Sequence, residues 1–183
     1  MSDADDARIS DETLIGLTAA GDFAAFDRLV RRHQAAVYRF ARAAAPSGED
    51  VEEILGAAFL AARRGAARYR DEPSARTWLL ALARRIIERR YPRTNRESDA
   101  TPLRDLVRSA ARGPLEEHGA PVAAALETLA SEDREILTLC DREYFTVDEA
   151  SRVTGLSETA VRTRLHRARL RLLARLKEDG LGR

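Results

Sequence analysis

Residues 146–176, TVDEASRVTGLSETAVRTRLHRARLRLLARL, predict two helices joined by a tight turn. Thr146 and Glu149 have the spacing of a capping box, in which each side chain accepts a hydrogen bond from the other residue's backbone N–H. Gly155 can take the left-handed conformation that ends a helix, and Ser157 can cap the next one. A short helix, a glycine turn and a second helix form the helix-turn-helix arrangement, which places its second helix in the major groove of DNA.

The second predicted helix is apolar on one face and basic elsewhere. Its apolar residues recur every three or four positions, as in a buried stripe: Val161, Leu165, Ala168, Leu172 and Leu176. Between residues 157 and 175, six arginines accompany one acid, Glu158, so the segment carries about +5 while the whole chain carries +1. A phosphate-binding surface requires such segregation of charge, so the pattern favours DNA binding over a purely structural helical hairpin.

Composition predicts an all-α protein. Of 183 residues, 44% are hydrophobic, 5% aromatic and 33% charged, and runs of β-branched residues with a period of two are missing. Lys177 is the only lysine. Arginine binds phosphate in a bidentate manner, but an alanine- and arginine-rich genome explains this ratio equally well. The placement of the arginines is therefore the functional signal.

Several function classes are disfavoured by the sequence. Cys140 is the single cysteine, which excludes an internal disulfide and suggests a buried, inert thiol. The three histidines, His33, His118 and His166, are far apart, so we expect no metal and no cofactor. No catalytic constellation or phosphate-cradling glycine loop is present, so we do not expect an enzyme. The acidic N-terminus is unlike a signal peptide and no apolar run could span a bilayer, so we expect a cytoplasmic protein without membrane insertion.

Apolar spacing and turn residues predict two small helical domains joined by a flexible linker. The first domain, residues 10–92, has four predicted helices: a short one from Ser10, a long one capped by Asp22, a third over 49–64 and a fourth from Ser74 to Tyr91. Proline, glycine, serine and asparagine punctuate the linker, residues 93–119. The second domain, residues 120–178, begins with a helix that contains Val122, Leu126 and Leu129. It continues with a helix capped by Ser131 and ends in the helix-turn-helix.

Two features of the first domain bear on packing and charge. The long helix has an apolar stripe of Phe23, Phe26, Val30, His33, Val37 and Phe40, in which His33 is interpreted as a core-edge residue. Between residues 84 and 96, six arginines oppose Glu88 alone, again giving about +5. Such a cluster at a helix end is usually a solvated cap, but with a second basic surface across a linker it suggests two-point contact with one nucleic acid.

Residues 68–93, RYRDEPSARTWLLALARRIIERRYPR, and residues 125–172 resemble the extracytoplasmic-function (ECF) sigma factors of bacteria. The most specific pieces are RTWL at 76–79 and VRTRLHRAR at 161–169. The resemblance implies that the first domain docks on core RNA polymerase and melts the −10 promoter element, while the second recognises the −35 element. It also implies an anti-sigma factor as a partner.

Residue roles follow from the same resemblance. The implied −35 contacts lie on the recognition helix, at Ser157, Glu158, Thr159, Arg162, Thr163, Arg164, His166, Arg167 and Arg169. The implied −10 contacts lie on the fourth helix, at Arg84, Arg85, Glu88, Arg89 and Arg90, where Trp78 is interpreted as a core residue. The family's third helix carries D-L-V-Q-E-x-F, but this chain has EILGAAF at 53–59, with Gly56 in place of the polar residue. Polymerase contacts are therefore expected from other residues, Glu49, Asp50, Glu52, Glu53 and Phe59, or else the interface is weakened and regulated.

Two other functions stay open at this point. The chain could be a DNA-binding regulator that does not join the polymerase, with its first domain acting as a sensor or dimerisation module. It could also be a sigma-like protein repurposed for protein contacts. The acidic leader, Asp3, Asp5, Asp6, Asp11 and Glu12, could screen a basic surface, although a disordered solubilising tail is the preferred interpretation.

Overall fold

The computed structural model describes residues 9–46, 48–70, 74–92 and 119–178, and all regular elements in these ranges are helical. An N-terminal group contains α1 (Asp11–Ala19), α2 (Phe23–Ala44), α3 (Val51–Gly65) with a following 3-10 turn (Ala66–Arg68), and α4 (Ala75–Arg90). A C-terminal group contains α5 (Gly119–Glu127), α6 (Ser131–Leu137) with a following π-helical turn (Thr138–Arg142), α7 (Val147–Thr154) and α8 (Glu158–Glu178). The all-α prediction with a C-terminal helix-turn-helix is confirmed. All but the last residue of the predicted linker lies outside the described residues.

Side-chain caps begin the helices of the N-terminal group. Ser10 Oγ accepts a hydrogen bond from the Thr13 N–H, and Asp22 accepts from Ala24 and Ala25. Asp50 and Ser74 cap α3 and α4 in the same way. These caps satisfy backbone donors that the first turn of a helix leaves without a partner, and they set where each helix begins.

One predicted cap is wrong. Ser131 is the first residue of α6 rather than its cap, and the capping position belongs to Ala130, which makes no side-chain hydrogen bond. Near this helix start, the buried Arg134 guanidinium donates to the carbonyl oxygen of Leu129, at 2.6 Å. The acids of the first turn, Glu132 and Asp133, remain favourable for the helix dipole.

The acidic N-terminal residues do not form a single leader. Asp11 begins α1, and its carboxylate lies 2.8 Å from Nε2 of His33 and 2.7 Å from Arg32. The hydrogen bond from His33, with Arg32 adding to it, lowers the pKa of Asp11 below its ordinary value. Because His33 is buried on α2, its contact with Asp11 joins α1 to α2. The acids before residue 9 lie outside the described residues.

Phe23 does not join the core, contrary to the predicted stripe. It is the first residue of α2 and is 66% exposed, whereas Val37 and Phe40 farther along the helix are buried. The guanidinium carbon of Arg63 lies 4.2 Å from the Phe23 ring centroid, a cation–π distance. At the helix start the stripe has run past the edge of the core, so its first ring contacts Arg63 and solvent instead.

The two helical groups share one apolar core. Phe40 of α2 and Leu79 of α4 belong to the same buried cluster as Leu139, Phe145 and Val153 of the C-terminal group. Helices α2 and α4 pack against α6 and α7, respectively. In the part of the chain described here, no helix combines the length and the apolarity needed to cross a membrane.

Candidate nucleic-acid interface

The turn between α7 and α8 is held by backbone and side-chain contacts that the sequence predicts. Thr146 accepts from the Glu149 N–H at 3.2 Å, and the Glu149 carboxylate accepts from the Thr146 N–H at 2.9 Å. Gly155 has φ 69° and ends α7 in the left-handed conformation. Ser157 Oγ accepts from the Ala160 N–H at 3.3 Å and caps α8. The direction of α8 is thus set within a few residues of the turn.

The apolar stripe of α8 anchors the helix and leaves its charged face outward. Val161, Leu165 and Ala168 are buried, while Leu172 and Leu176 are half-buried toward the end of the helix. All but one of the implied −35 contacts on this helix are exposed: Ser157, Glu158, Thr159, Arg162, Thr163, His166, Arg167 and Arg169. Arg164 is half-buried. The residues expected to touch DNA therefore share a solvent-facing surface, which we call the α8 basic face.

The arginines of the α8 basic face differ in their partners. Arg162 pairs with Glu158 one turn away, at 2.8 Å, and Arg169 binds Asp141 through two nitrogens, at 2.5 and 3.1 Å. The hydrogen bond with Asp141 raises the pKa of Arg169. Arg164 and Arg167 have no ion pair with another described residue. Of these two, Arg167 is the exposed one, so it can bind a phosphate without first breaking an ion pair with a carboxylate.

Cys140 lies beside α8 in an environment that does not favour a reactive thiol. It is half-buried and lines a shallow cavity of about 470 Å³ together with Phe145, Arg162, His166 and Arg169. Burial, with the neighbouring Asp141, raises the pKa of the thiol. A raised pKa disfavours the thiolate, which is the nucleophilic and metal-binding form, so the predicted inert thiol fits its surroundings. The described residues contain no group of three His, Cys, Asp or Glu placed to hold a metal ion.

The C-terminal end of α4 forms a second basic surface. Arg85, Glu88, Arg89 and Arg90 are exposed there. Arg90 donates to Glu53 of α3 at 2.6 Å, which raises the pKa of Arg90 and lowers that of Glu53. Basic residues in a last turn also interact favourably with the helix dipole. Part of this surface is thus held in place by an acid of α3.

Arg84 lies in a different environment from its neighbours in the sequence. Its side chain is 2% exposed and contacts two acids, Glu135 of α6 at 2.5 Å and Glu88 at 2.8 Å. The contact with Glu135 is an ion pair by distance that lacks hydrogen-bond geometry. In this arrangement of the helices, the C-terminal group covers Arg84.

The residues with implied polymerase contacts do not form one continuous face. Glu49, Glu52 and Glu53 are exposed, whereas Phe59 is only 5% exposed and packs in the core. Asp50 is occupied as the cap of α3. The Tyr91 hydroxyl donates to Glu49, and burial together with that bond raises the pKa of Tyr91 to about 12. These acids therefore brace α3 against the end of α4 as well as facing solvent.

One exposed leucine on α3 is missing from the sequence-based expectations. Leu60 is 52% exposed and follows Gly56 by one helical turn, so both lie on one face of α3. A Cβ placed on Gly56 would have nothing within 4 Å, so packing does not require glycine there. The sequence does carry a signal for the exposure of Leu60. The 3.6-residue period of a helix places Leu60 outside the apolar stripe of Leu55, Phe59 and Ala62.

Both helical groups match known protein families. The chain matches the family described as "Sigma-70 region 2" over residues 29–97 and that described as "Sigma-70, region 4" over residues 120–172. It is 34% identical over 163 residues to the ECF RNA polymerase sigma factor SigM of Mycobacterium tuberculosis, covering 89% of this chain and 83% of SigM. It is 32% identical to SigC of the same species, with 92% and 93% of the two chains covered.

A solved structure of CnrH in complex with the cytosolic domain of CnrY resembles this fold with a TM-score of 0.66. The two chains are 29% identical, and the match covers 92% of this chain and 98% of CnrH. RpoE of Bartonella quintana, solved with the anti-sigma factor NepR, has the same TM-score at 18% identity and supports the fold alone. From the two matched regions and the SigM and SigC similarities together, the chain belongs to the ECF family of bacterial RNA polymerase sigma factors.

Proposed function

We propose that this sigma factor binds core RNA polymerase and directs it to promoters, with residues 120–178 recognising the −35 element and residues 10–92 engaging the −10 element. Residues 93–119 would join the two. The observation that carries the proposal is the α8 basic face, an exposed row of arginines on a helix whose apolar stripe is anchored in the core. Arginine contacts to phosphate would position α8, and its first turns would provide contacts to base edges.

The central experiment uses purified full-length protein, core polymerase and a promoter library. We expect a complex on size exclusion and transcription that starts at a shared promoter sequence. Absence of a complex, in the absence of any inhibitor, would contradict the polymerase function. Promoter binding without a polymerase complex would instead favour the DNA-binding regulator that acts alone.

Arg167→Ala tests the α8 basic face. Arg167 is exposed and has no described ion-pair partner, so its loss should remove a phosphate contact without freeing a carboxylate. We expect weaker promoter binding and a slope of log K against log salt reduced by about one unit. Fluorescence anisotropy at several salt concentrations measures both.

The matched control is Arg31→Ala, which removes an exposed arginine on α2 that pairs with Asp27. It changes the net charge equally and should leave the salt slope unchanged. Equal effects of the two variants would show that net charge, not the α8 basic face, determines DNA binding.

We also propose that the α3 face carrying Glu52, Gly56 and Leu60 contacts the polymerase. Leu60 supplies exposed apolar area, and the exposed Glu52 lies about two turns away on the same helix, an arrangement that suits the apolar centre and polar rim of a protein interface. Leu60→Asp should weaken binding to core polymerase at least about tenfold, equivalent to 1.4 kcal/mol, because interface cores tolerate charge poorly. Promoter-DNA binding by the isolated sigma factor should not change.

Leu173→Asp is the matched control for this interface. Leu173 is 53% exposed, close to the 52% of Leu60, and lies near the end of α8. The Leu173→Asp substitution should leave the affinity for core polymerase unaltered, as measured by biolayer interferometry or a pull-down titration. If Leu60→Asp and Leu173→Asp behave alike, the polymerase does not dock on this face of α3.

An anti-sigma factor is the third proposed partner. Support comes from the similarity to CnrH, whose solved structure contains the cytosolic domain of CnrY. Such a partner would compete with polymerase or DNA for the surfaces described above. Co-purification from the native host, followed by loss of transcription when the captured protein is added back, tests this proposal.

A further inference from the structure

The cavity beside Cys140 lies between the start of α7 and one side of α8, and we call it the α7–α8 cavity. Its volume of about 470 Å³ falls within the range of roughly 300–1,000 Å³ that small-molecule sites occupy. Four lining residues belong to α8, at the three- and four-residue steps of one helix side. The full lining is Cys140, Phe145, Thr146, Val147, Arg162, Leu165, His166 and Arg169.

The inner part of the α7–α8 cavity is apolar. Phe145 and Leu165 are 7% and 8% exposed and belong to the core, while Cys140 and Val147 are half-buried and pack against it. Of the described residues that line the cavity, none is an acid. An apolar group can therefore enter the cavity without placing a carboxylate against a hydrocarbon surface.

The outer part of the α7–α8 cavity carries hydrogen-bond donors. Arg162 and Arg169 are exposed, and each holds one carboxylate with only some of its N–H groups. Arg162 donates to Glu158 through Nη2, and Arg169 donates to Asp141 through Nε and Nη2. A guanidinium has five N–H donors, so both arginines can also bind a second anion. His166 is exposed beside them and adds a ring N–H.

Glu158 and Asp141 are not among the residues that line the cavity, so they orient the arginines without filling the space between them. Two guanidinium groups beside an apolar pocket match a ligand that has one anionic end and one apolar end. A flat ring suits the apolar end, since aromatic rings pack favourably against a ring such as that of Phe145.

We propose that the α7–α8 cavity is a binding site for a small aromatic carboxylate, with the ring against Phe145 and Leu165. The carboxylate accepts hydrogen bonds from Arg162 and Arg169. Because both arginines and His166 are also implied −35 contacts, the bound carboxylate competes with promoter DNA. This competition rests on the proposed function, whereas the binding of the carboxylate does not.

The first experiment uses naphthoate as the probe and naphthamide, its uncharged analogue, as the control ligand. Cys140 is the single cysteine of the chain and lines the cavity, so its alkylation by a maleimide, followed by mass spectrometry in alkaline buffer, reports on this cavity alone. We expect naphthoate to slow alkylation along one binding curve, with a Kd of about 1 mM or tighter. No slowing at about ten times that concentration would overturn the proposal. Equal protection by naphthamide would also overturn it, because the arginines would then not recognise the ligand.

Arg162→Gln should weaken naphthoate binding about tenfold, since it removes a hydrogen bond between two charged groups. The matched control is Arg167→Gln, which removes an exposed arginine of the same helix that does not line the cavity. Equal losses in the two variants would show that the net charge of α8, not the cavity, attracts the probe.

Val147→Phe tests the apolar part of the site, because a larger side chain at this half-buried position should fill the cavity. Ligand-observed NMR, which does not depend on Cys140, should show that naphthoate no longer binds. Unchanged binding to a variant whose helicity is normal by circular dichroism would overturn the proposal.

The second experiment measures competition at constant ionic strength. Naphthoate at about ten times its Kd should weaken the binding of promoter DNA about tenfold, and saturating DNA should weaken naphthoate binding by the same factor. If naphthoate binds and DNA affinity does not change, the proposal is overturned. If the protein binds naphthoate but binds no promoter DNA even without it, the proposed function fails and the carboxylate site stands.

Discussion

Asp11 joins α1 to α2 through two side chains that the sequence does not connect. Its carboxylate accepts from His33 and Arg32, which lie 22 and 21 positions away. The capping residues Ser10 and Asp22 could be predicted, because a cap acts on N–H groups two or three residues ahead. The role of Asp11 could not, because nothing local in the chain specifies a partner on another helix.

Asp11→Asn should destabilise the protein at neutral pH by about 1 kcal/mol, the scale of a hydrogen bond to a charged group discounted for partial exposure. Because folding lowers the pKa of Asp11, its contribution is present above the ordinary pKa of 3.8 and is lost as the pH falls through the lowered value. Urea unfolding of wild type and variant should thus differ at pH 7 and converge in acid. Glu12→Gln, an exposed acid in the same helical turn, should show no such convergence; a pH-independent difference for Asp11→Asn would contradict the assignment.

At the scale of elements, α7 and α8 were predictable almost to the residue. Their boundaries depend on a capping box, a left-handed glycine and an apolar stripe, all of which act within four residues of one another. The environment of α4 was less predictable, since Arg84 looks like Arg85 in the sequence but is buried against Glu135. Helical periodicity places residues on a face, whereas the packing of other elements decides whether that face is covered.

Thr146→Ala should weaken the start of α7 and cost about 1 kcal/mol of stability, since it removes the hydroxyl that accepts from the Glu149 N–H. Denaturant unfolding measures the loss. Because α7 positions α8 through Gly155, DNA affinity should fall as well, and stabilising osmolyte should restore part of it. Thr163→Ala removes a hydroxyl from the exposed interior of α8 and should change stability by less than about 0.5 kcal/mol. Equal stability losses would mean that the capping box is not what fixes α7.

At the scale of the whole molecule, apolar packing and ion pairs hold the two helical groups together, and the ion pairs differ in how exposed they are. The buried cluster runs through both helical groups, and Glu143 meets Arg39 and Arg76 across 104 and 67 positions of sequence. The pair of Arg42 with Glu127 also crosses between the groups, but both side chains are 39% exposed. Sequence patterns predicted two helical groups correctly, yet not their packing, because each group has a plausible apolar face and cap set by itself.

Salt should therefore affect the packing of the two helical groups and the binding of DNA differently. The Debye length falls from about 10 Å at 0.1 M to about 3 Å at 1 M, which screens exposed pairs such as Arg42 with Glu127 but affects buried pairs much less. Apolar packing is not weakened by salt, so the radius of gyration of the DNA-free protein should be the same at both concentrations. DNA affinity measured in parallel should fall steeply, because phosphate contacts release counterions. Expansion of the DNA-free protein at 1 M would mean that exposed pairs hold the two helical groups together. In that case Arg42→Ala should reproduce the expansion at low salt, whereas the buried pairs predict that it will not.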